Sequence, residues 1–364
     1  MAGKMNRKLV LENGAEYFGY GFGRTEGTSG VCEIVFNTSM AGYQEIVSDP
    51  TYTGAAVVMT YPLIGNYGIT DEDYEAKTPT IGALIVREYN DFPSNFRYTK
   101  TLSEYLEENG IPGIYGMDTR ALTRAIRDLG TCKCAIVDAD MNTEVALDII
   151  KGAELAKALV AKVTCAKRWY ARTANARYSV VVIDCGVKLS TIKMLNSMGC
   201  NVTILPASAT AEDVELMQPD GVLVSQGPGS PEDAAYVSEV VKALRGKYTI
   251  FGIGLGCQLI ALAYGAKTAK MKFGHHGCNH PVKNLATGKM ETVAENYGYA
   301  IDEASLDGTG LTVTYRDIID GDVAGVACKE EKVFAVQYEP NVTSGPEGRK
   351  NLYEEFIALM KEGK

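Results

Sequence analysis

From residue 178 onward, short apolar strands alternate with segments of helical periodicity, and this alternation constrains the fold more than any other feature. Residues 179–184 read Ser-Val-Val-Val-Ile-Asp, which is apolar on both faces, as in a strand covered on both sides. Residues 188–198 follow with Ile192, Leu195 and Met198 on one helical face. The alternation continues through strands at 201–205, 221–225 and 249–253 and helices at 211–218 and 231–244. It predicts an α/β fold with a doubly wound, mostly parallel sheet.

The first part of the chain has a different pattern. Residues 1–150 hold short apolar strands at 8–12, 31–37, 55–61 and 81–87 and two helical segments at 101–109 and 119–128. This mixture predicts an N-terminal α+β domain. Residues 151–178 continue an alanine- and lysine-rich helical stretch (about 145–163) into a basic segment without periodicity, which we interpret as helix and linker. Residues 179–364 then form the second domain, and 364 residues suffice for two separate cores.

The composition excludes several classes of partner and compartment. Hydrophobic residues make up 46% of the chain and charged residues 22%, as in soluble globular proteins. A net charge of -9 argues against nucleic acid and anionic membranes as partners. No apolar run approaches the roughly 18 residues of a membrane span, and the N-terminus does not resemble a signal peptide. Nine scattered cysteines are typical of free thiols, so we predict a cytoplasmic protein.

The same residue counts argue against a metal site. Cys132 and Cys134 are the only close cysteine pair, and the three histidines are His275, His276 and His280. Neither group has further ligands at a spacing typical of zinc sites. We therefore predict no bound metal and a structural role for the histidines.

Residues 251–263 predict a strand, a glycine-dense turn and a helix. Hydrolases use this shape to present a nucleophile in the pattern Gly-x-nucleophile-x-Gly. Here the pattern falls on Gly252, Gly254 and Gly256, so the nucleophile position has no side chain. Gly227 and Gly229 follow the preceding strand, where exposed N–H groups could form an oxyanion hole or simply a turn. Both loops should lie at the carboxyl edge of the sheet, where active sites of such folds occur.

Several longer motifs then identify a family. They read Phe-Asn-Thr-Ser-Met-Ala-Gly-Tyr-Gln-Glu-Ile at 36–46, Thr-Tyr-Pro-Leu-Ile-Gly-Asn at 60–66, Ser-Asn-Phe-Arg at 94–97, Asp-Thr-Arg at 118–120, Ala-Lys-Met-Lys-Phe-Gly-His-His-Gly at 269–277 and Asn-His-Pro at 279–281. Over essentially its whole length the chain resembles the small, glutamine-hydrolysing subunit of carbamoyl phosphate synthetase. Its second half resembles the class I glutamine amidotransferase domain. The resemblance places all three histidines in a structural motif.

The resemblance also implies a reaction and a set of partners. In this family a Cys-His-Glu triad hydrolyses glutamine, and the ammonia reaches a large subunit that carries ATP and Mg²⁺; no cofactor is expected on this chain. The product, carbamoyl phosphate, enters arginine and pyrimidine biosynthesis. L-glutamine is thus the expected ligand, and the large subunit the expected partner. The implied glutamine contacts are Ser39, Gly227, Gly229, Leu255, Gln258, Asn296, Gly298 and Tyr299.

The triad positions depart from the family pattern. The family writes Gly-Ile-Cys-Leu-Gly-His-Gln at the elbow, whereas residues 252–258 read Gly-Ile-Gly-Leu-Gly-Cys-Gln. A later Gly-His-Pro-Glu motif supplies the base and its orienting acid, whereas residues 338–341 read Tyr-Glu-Pro-Asn. Gly254, Glu339 and Asn341 thus stand at the three catalytic positions. Further departures are Gln226, Ser230, Cys278 and Tyr297, where the family usually has Asn, Asp, Gly and His.

These departures predict that the glutaminase step is lost. The leading hypothesis is a small subunit that supports carbamoyl phosphate synthesis from free ammonia as a scaffold. A second hypothesis is a regulatory module that binds glutamine without hydrolysing it. A third is an active amidotransferase that uses Cys257 and Glu339 instead, or a deliberately inactivated version of one.

Overall fold

The computed structural model describes residues 5–343 and 351–362. The chain divides into two compact units, Met1–Ala156 and Lys157–Lys364. Among the described residues, none of the helices combines the length and the apolar character that crossing a membrane requires. All nine cysteines lie in the described part and none of them forms a disulfide.

The first unit is built around a closed barrel. The strands of this unit are β1 Arg7–Leu11, β2 Glu16–Gly23, β3 Cys32–Asn37, β4 Ala55–Met59, β5 Leu63–Ile64, β6 Ala83–Ile85, β7 Glu88–Tyr89, β8 Pro112–Tyr115 and β9 Lys133–Asp138. The barrel order is β1-β2-β8-β6-β4-β3-β9, and β1 closes it by pairing with both β2 and β9. Closure leaves no unpaired strand edge in the barrel.

Four helices accompany the barrel: α1 Tyr43–Ser48, α2 Leu102–Glu108, α3 Thr119–Leu129 and α4 Thr143–Gly152. Local sequence explains where α2 and α3 begin. The Thr101 hydroxyl accepts from the Glu104 N–H and the Glu104 carboxylate accepts from the Thr101 N–H, which is a capping box. The Asp118 carboxylate accepts from the Ala121 N–H at the start of α3. The predicted mixture of strands and helices in this half is confirmed.

The second unit contains one large sheet. Its strands are β10 Trp169–Ala171, β11 Tyr178–Asp184, β12 Cys200–Pro206, β13 Gly221–Val224, β14 Thr249–Ile253, β15 Thr268–Asn284, β16 Met290–Ile301, β17 Thr312–Asp317, β18 Val323–Cys328, β19 Val333–Val336 and β20 Glu339–Thr343. Its helices are α5 Val160–Val163, α6 Leu189–Ser197, α7 Ala211–Leu216, α8 Ala235–Leu244, α9 Leu255–Ala263 and α10 Asn351–Lys361. The sheet order is β10-β12-β11-β13-β14-β19-β18-β17-β15-β16-β20.

The predicted parallel sheet is the central part of this larger one. Strands β12, β11, β13, β14 and β19 pair in parallel, while β10, β18, β17, β15, β16 and β20 add antiparallel pairs. Successive residues of β11 are buried on opposite faces, with Val181 in one core and Val182 in the other. The apolar strand pattern therefore reflects helices on both sides of the sheet.

The segment predicted as helix and linker is more structured than its composition indicated. Helix α4 ends at Gly152 and α5 covers only Val160–Val163, with Ala158 between them at a φ of 51°. Within the basic segment, β10 pairs antiparallel with β12. Its side chains alternate between half-buried and exposed positions, but three residues are too few to produce a recognisable period in the sequence.

Candidate active site

The turn between β14 and α9 has the geometry of a nucleophile elbow. Gly254 stands between the two elements at φ 56° and ψ -116°, a conformation that strains any residue with a side chain. Its N–H donates to the Val336 carbonyl of the neighbouring strand at 2.9 Å, and its carbonyl accepts from the Cys257 N–H at 3.0 Å. The turn is thus fixed by backbone hydrogen bonds on both sides.

The space available for a side chain differs among the three glycines of the elbow. A Cβ at Gly256 would overlap the Val224 carbonyl, and one at Gly252 would lie 2.5 Å from the Ile260 side chain. These two glycines allow α9 to pack closely on the sheet. At Gly254 the nearest atom to an added Cβ is the Gln226 Cβ at 3.2 Å. The nucleophile position therefore has room for a small side chain, subject to its backbone strain.

The loop after β13 lies beside the elbow, as the strand order predicts. Val224 of β13 pairs with Gly252 of β14. A Cβ on Gly227 would overlap the Cys185 carbonyl and lie 3.0 Å from the Leu255 side chain, so the loop backbone packs against the first residue of α9. Gly229 adopts a φ of 88°. Both predicted loops thus meet at the carboxyl edge of the parallel strands.

The predicted glutamine contacts on β16 are linked to the elbow helix. Gln258 of α9 donates from Nε2 to the Tyr299 carbonyl at 2.7 Å. Asn296 Oδ1 lies 2.7 Å from His276 Nδ1, and a Cβ on Gly298 would meet no atom within 4 Å. Ser39 belongs to the first unit, where it follows β3 and is buried, with its N–H donating to Asn37 Oδ1 at 2.7 Å.

Glu339, at the position predicted to correspond to the family's histidine, forms a buried ion pair. It begins β20 and pairs with Ala294 of β16. Its Oε1 lies 3.1 Å from the Lys188 Nζ, and the side chains are 4% and 7% exposed. The ammonium group compensates the buried carboxylate charge, which would otherwise be costly in this environment.

Asn341, at the position predicted to correspond to the orienting acid, forms hydrogen bonds through both the nitrogen and the oxygen of its amide. Its Nδ2 donates to Thr191 Oγ1 at 2.8 Å, and its Oδ1 accepts from the Tyr353 hydroxyl at 2.7 Å. Gln226 Nε2 donates to the same Thr191 oxygen at 3.0 Å. A hydroxyl oxygen can accept two hydrogen bonds, so Thr191 serves both amides. Two positions that depart from the family pattern therefore meet at one buried hydroxyl.

Sequence reasoning did not identify Lys188 and Thr191 as parts of the site. Lys188 is the residue before α6 and Thr191 lies in its first turn, and the sequence pattern predicts only an amphipathic helix for this segment. Thr191 is fully buried in that helix, and a polar residue on its apolar face was the one available signal.

The remaining departures have separate surroundings. Ser230 donates to Glu232 Oε2 at 2.6 Å beside a short 3₁₀ turn at Pro231–Ala234. Cys278 is exposed on β15, whereas Tyr297 is buried with its hydroxyl 3.2 Å from His275 Nδ1. Cys257, in contrast, faces the apolar core, and burial raises the pKa of its thiol.

Both halves of the chain match families of known proteins. Residues 9–136 match the family described as carbamoyl-phosphate synthase small chain, CPSase domain, and residues 181–359 match glutamine amidotransferase class-I. A carbamoyl phosphate synthase small chain from Fusobacterium nucleatum is 47% identical over 352 residues, which is 97% of each chain. Those from Staphylococcus epidermidis and Bacillus caldolyticus are each 46% identical over 358 residues, covering 98% of this chain and 97% of theirs. The chain therefore belongs to the carbamoyl phosphate synthase small chain family and carries a class I glutamine amidotransferase domain.

Proposed function

We propose that this chain is a carbamoyl phosphate synthase small subunit that does not hydrolyse glutamine and that supports synthesis from free ammonia by a large subunit. The observation that carries the proposal is Gly254, a residue without a side chain at the centre of an intact nucleophile elbow. ATP and Mg²⁺ belong to the large subunit in this proposal, and the pair works in the cytoplasm, in arginine or pyrimidine biosynthesis.

The chemistry of amide hydrolysis explains why this position matters. A thiol-dependent reaction requires a nucleophile, a base that accepts its proton and a group that orients the base. Removing such a unit costs on the order of 10^6 in rate, or roughly 8 kcal/mol of transition-state stabilisation. The residual rate from backbone donors is too small for a useful ammonia supply.

The other two triad positions support the same conclusion. The Glu339 carboxylate is paired with the Lys188 ammonium, and it is not the imidazole that accepts the proton in a Cys-His-Glu triad. Asn341 is a neutral amide whose oxygen already accepts a hydrogen bond from Tyr353. In this proposal Glu339 and Asn341 therefore form an ion pair and hydrogen bonds, and they do not act as a base and its orienting acid.

A relocated nucleophile at Cys257 has little support. Cys257 lies three residues beyond the elbow glycine, about 4.5 Å further along the helix axis at roughly 1.5 Å per residue. Its side chain is fully buried among apolar residues, and burial raises the pKa of its thiol, so the reactive thiolate is disfavoured.

A regulatory module that binds glutamine is the second candidate function. It is favoured by the hydrogen bond between Gln258 and the Tyr299 carbonyl, which joins two of the implied glutamine contacts. Titration calorimetry with L-glutamine tests it: saturable heat would support glutamine binding, and no heat at millimolar concentration would exclude this function.

Reconstitution tests the proposed scaffold role. The large subunit of the same organism is assayed for carbamoyl phosphate synthesis from ammonium chloride, ATP and bicarbonate, with and without this chain. We expect the chain to increase the rate or the stability of the large subunit, and glutamine not to replace ammonium. A large subunit that neither binds the chain nor responds to it would contradict the proposal.

A further inference from the structure

Four potential metal ligands converge in the second unit, in a cluster that the sequence spacing did not reveal. They are His275 and His280 of β15, Glu295 of β16 and Asp317 at the end of β17. One ligand atom from each lies within 4.8 Å of the others. From the sequence we predicted no metal because the histidines had no further ligands at familiar spacing; the fold supplies two carboxylates from neighbouring strands.

An irregularity in β15 places both histidines on the same side. Residues five apart in a regular strand point to opposite faces. Gly277 pairs with Glu295 and His280 pairs with Val293, so β15 contains one extra residue between these positions. This bulge reverses the alternation. The two imidazole rings stack with their centroids 4.8 Å apart.

Three atoms of the cluster are buried without a hydrogen-bond partner among the described residues: Glu295 Oε1, Asp317 Oδ2 and His280 Nδ1. Glu295 and Asp317 are 2% and 1% exposed. The other oxygen of Asp317 accepts from the N–H groups of Ile319 and Asp320, which fixes the carboxylate in place. Because a buried polar atom without a partner is costly, these atoms indicate a ligand that the side chains do not provide.

The charges of the cluster favour a cation. Asp320 and Asp322 lie near Glu295 and Asp317. In the described part of the chain, no lysine or arginine forms an ion pair with any of these four carboxylates. Several carboxylates therefore lie close together at this site, and a divalent ion would relieve their mutual repulsion.

His275 is also oriented as a metal ligand would be. Its Nε2 lies 2.7 Å from Asp320 Oδ2, and its Nδ1 lies 2.6 Å from Glu295 Oε2. In many metal sites a carboxylate holds the distal imidazole N–H and directs the other nitrogen to the ion. His280 Nδ1 lies 3.2 Å from the same Glu295 oxygen, in a geometry that does not form a hydrogen bond.

We propose that His275 Nδ1, His280 Nδ1, Glu295 and Asp317 bind one divalent first-row transition-metal ion, with Asp320 positioning His275. Two imidazole and two carboxylate donors suit zinc, manganese, iron or cobalt better than magnesium or calcium. The ion replaces the proton between His275 and Glu295. These two ligand atoms must then separate to about 3.4 Å, the edge of a tetrahedron with arms of about 2.1 Å. Bound metal would join β15, β16 and β17 next to Asn296.

Cobalt titration of metal-free protein tests the proposal without reference to activity. The protein is stripped with a chelator and titrated with Co²⁺, and binding is followed by calorimetry and visible absorption. We expect one equivalent to bind with a ligand-field spectrum that lacks thiolate-to-metal charge transfer, since no ligand is a cysteine. Zn²⁺ should compete for the same equivalent and raise the Tm.

Variants distinguish this site from adventitious binding. Glu295→Gln and Asp317→Asn should each weaken Co²⁺ binding at least tenfold, and Asp320→Asn by about 10- to 100-fold. Asp148→Asn removes an exposed carboxylate in the first unit and should leave binding unchanged, as should Cys278→Ser. Absence of saturable binding in the wild-type protein would overturn the proposal whatever the folding of the variants. Binding that survives both Glu295→Gln and Asp317→Asn, or that is lost in Cys278→Ser, would also overturn it.

Discussion

The carboxylate of Glu339 lies 3.1 Å from the ammonium group of Lys188, and both side chains are buried. Glu339 stands at the position that we predict to correspond to the catalytic histidine of the family. A general base accepts a proton from the nucleophile, whereas the Glu339 carboxylate contacts an ammonium group. The relationship between these two residues therefore connects the stability of the amidotransferase domain to its proposed inactivity.

Breaking this ion pair should destabilise the protein strongly. Lys188→Met leaves the Glu339 carboxylate buried without its ammonium partner, and we expect a loss of about 3–5 kcal/mol in the free energy of unfolding. Urea denaturation followed by circular dichroism measures the loss. Replacing both partners, as Lys188→Met with Glu339→Leu, should recover most of it because no buried charge remains.

A surface pair in the same unit provides the control. Lys247 and Glu215 lie 2.8 Å apart with side chains 58% and 38% exposed. Lys247→Met should cost under about 1 kcal/mol because solvent screens this pair. Equal losses in Lys188→Met and Lys247→Met would show that the buried pair has no special role.

The elbow glycines should differ in their tolerance of a side chain. The Cβ of Gly254→Ala would lie 3.2 Å from the Gln226 Cβ and no closer than 3.6 Å to any other atom, so its cost is mainly the backbone strain, about 1–3 kcal/mol. Gly256→Ala would overlap the Val224 carbonyl and should prevent α9 from packing. Thermal unfolding of the two variants distinguishes them, and a Gly254→Ala variant as unstable as Gly256→Ala would contradict the described geometry.

Thr191→Val should remove the acceptor shared by two amide donors, the buried Gln226 Nε2 and the half-buried Asn341 Nδ2, of which the latter keeps a contact with Ser190 Oγ at 3.3 Å. Gln226 and Asn341 both donate to the Thr191 oxygen, and valine has the same shape without the hydroxyl. We expect a loss of about 1–3 kcal/mol, mainly from the Gln226 donor that is left unsatisfied. Ser197→Ala, which removes an exposed hydroxyl from the same helix, should change stability by at most about 0.5 kcal/mol. Similar losses in both variants would argue against the network.

Cys257 should be unreactive in the folded protein. It is completely buried, and burial raises the pKa of its thiol, so the thiolate that reacts with alkylating agents is rare at neutral pH. Iodoacetamide labelling followed by peptide mass spectrometry should modify the exposed Cys278 first and Cys257 only after denaturation. Rapid labelling of Cys257 in the native protein would support the hypothesis that Cys257 acts as a relocated nucleophile.

The sequence predicted those features that depend on local pattern. Buried strands such as β11 have continuous apolar runs, and the turn at Gly254 has a recognisable spacing of glycines between a strand and a helix. Together they located the elbow and its neighbouring loop at one edge of the parallel strands, where the structure places them. This information lies within short windows of the chain, which is why it could be read directly.

The missed features depend on contacts between distant segments. Lys188 meets Glu339, and Thr191 meets Asn341, only because α6 packs near β20. The convergence of His275 with Asp317 requires a bulge and the pairing of β15 with β17, and neither leaves a periodic signal in the sequence. Long strands rich in glycine, histidine and charged residues likewise concealed the antiparallel part of the sheet.

The most direct test of the account measures glutamate released from L-glutamine by the chain together with its large subunit. The triple reversion Gly254→Cys, Glu339→His and Asn341→Glu is assayed in parallel. We predict no release above background from the wild-type chain and measurable release from the reversion; persistent inactivity of the reversion would mean that the pocket itself has changed. Glutamate release by the wild-type chain would contradict the central claim that the missing side chain at Gly254 abolishes hydrolysis.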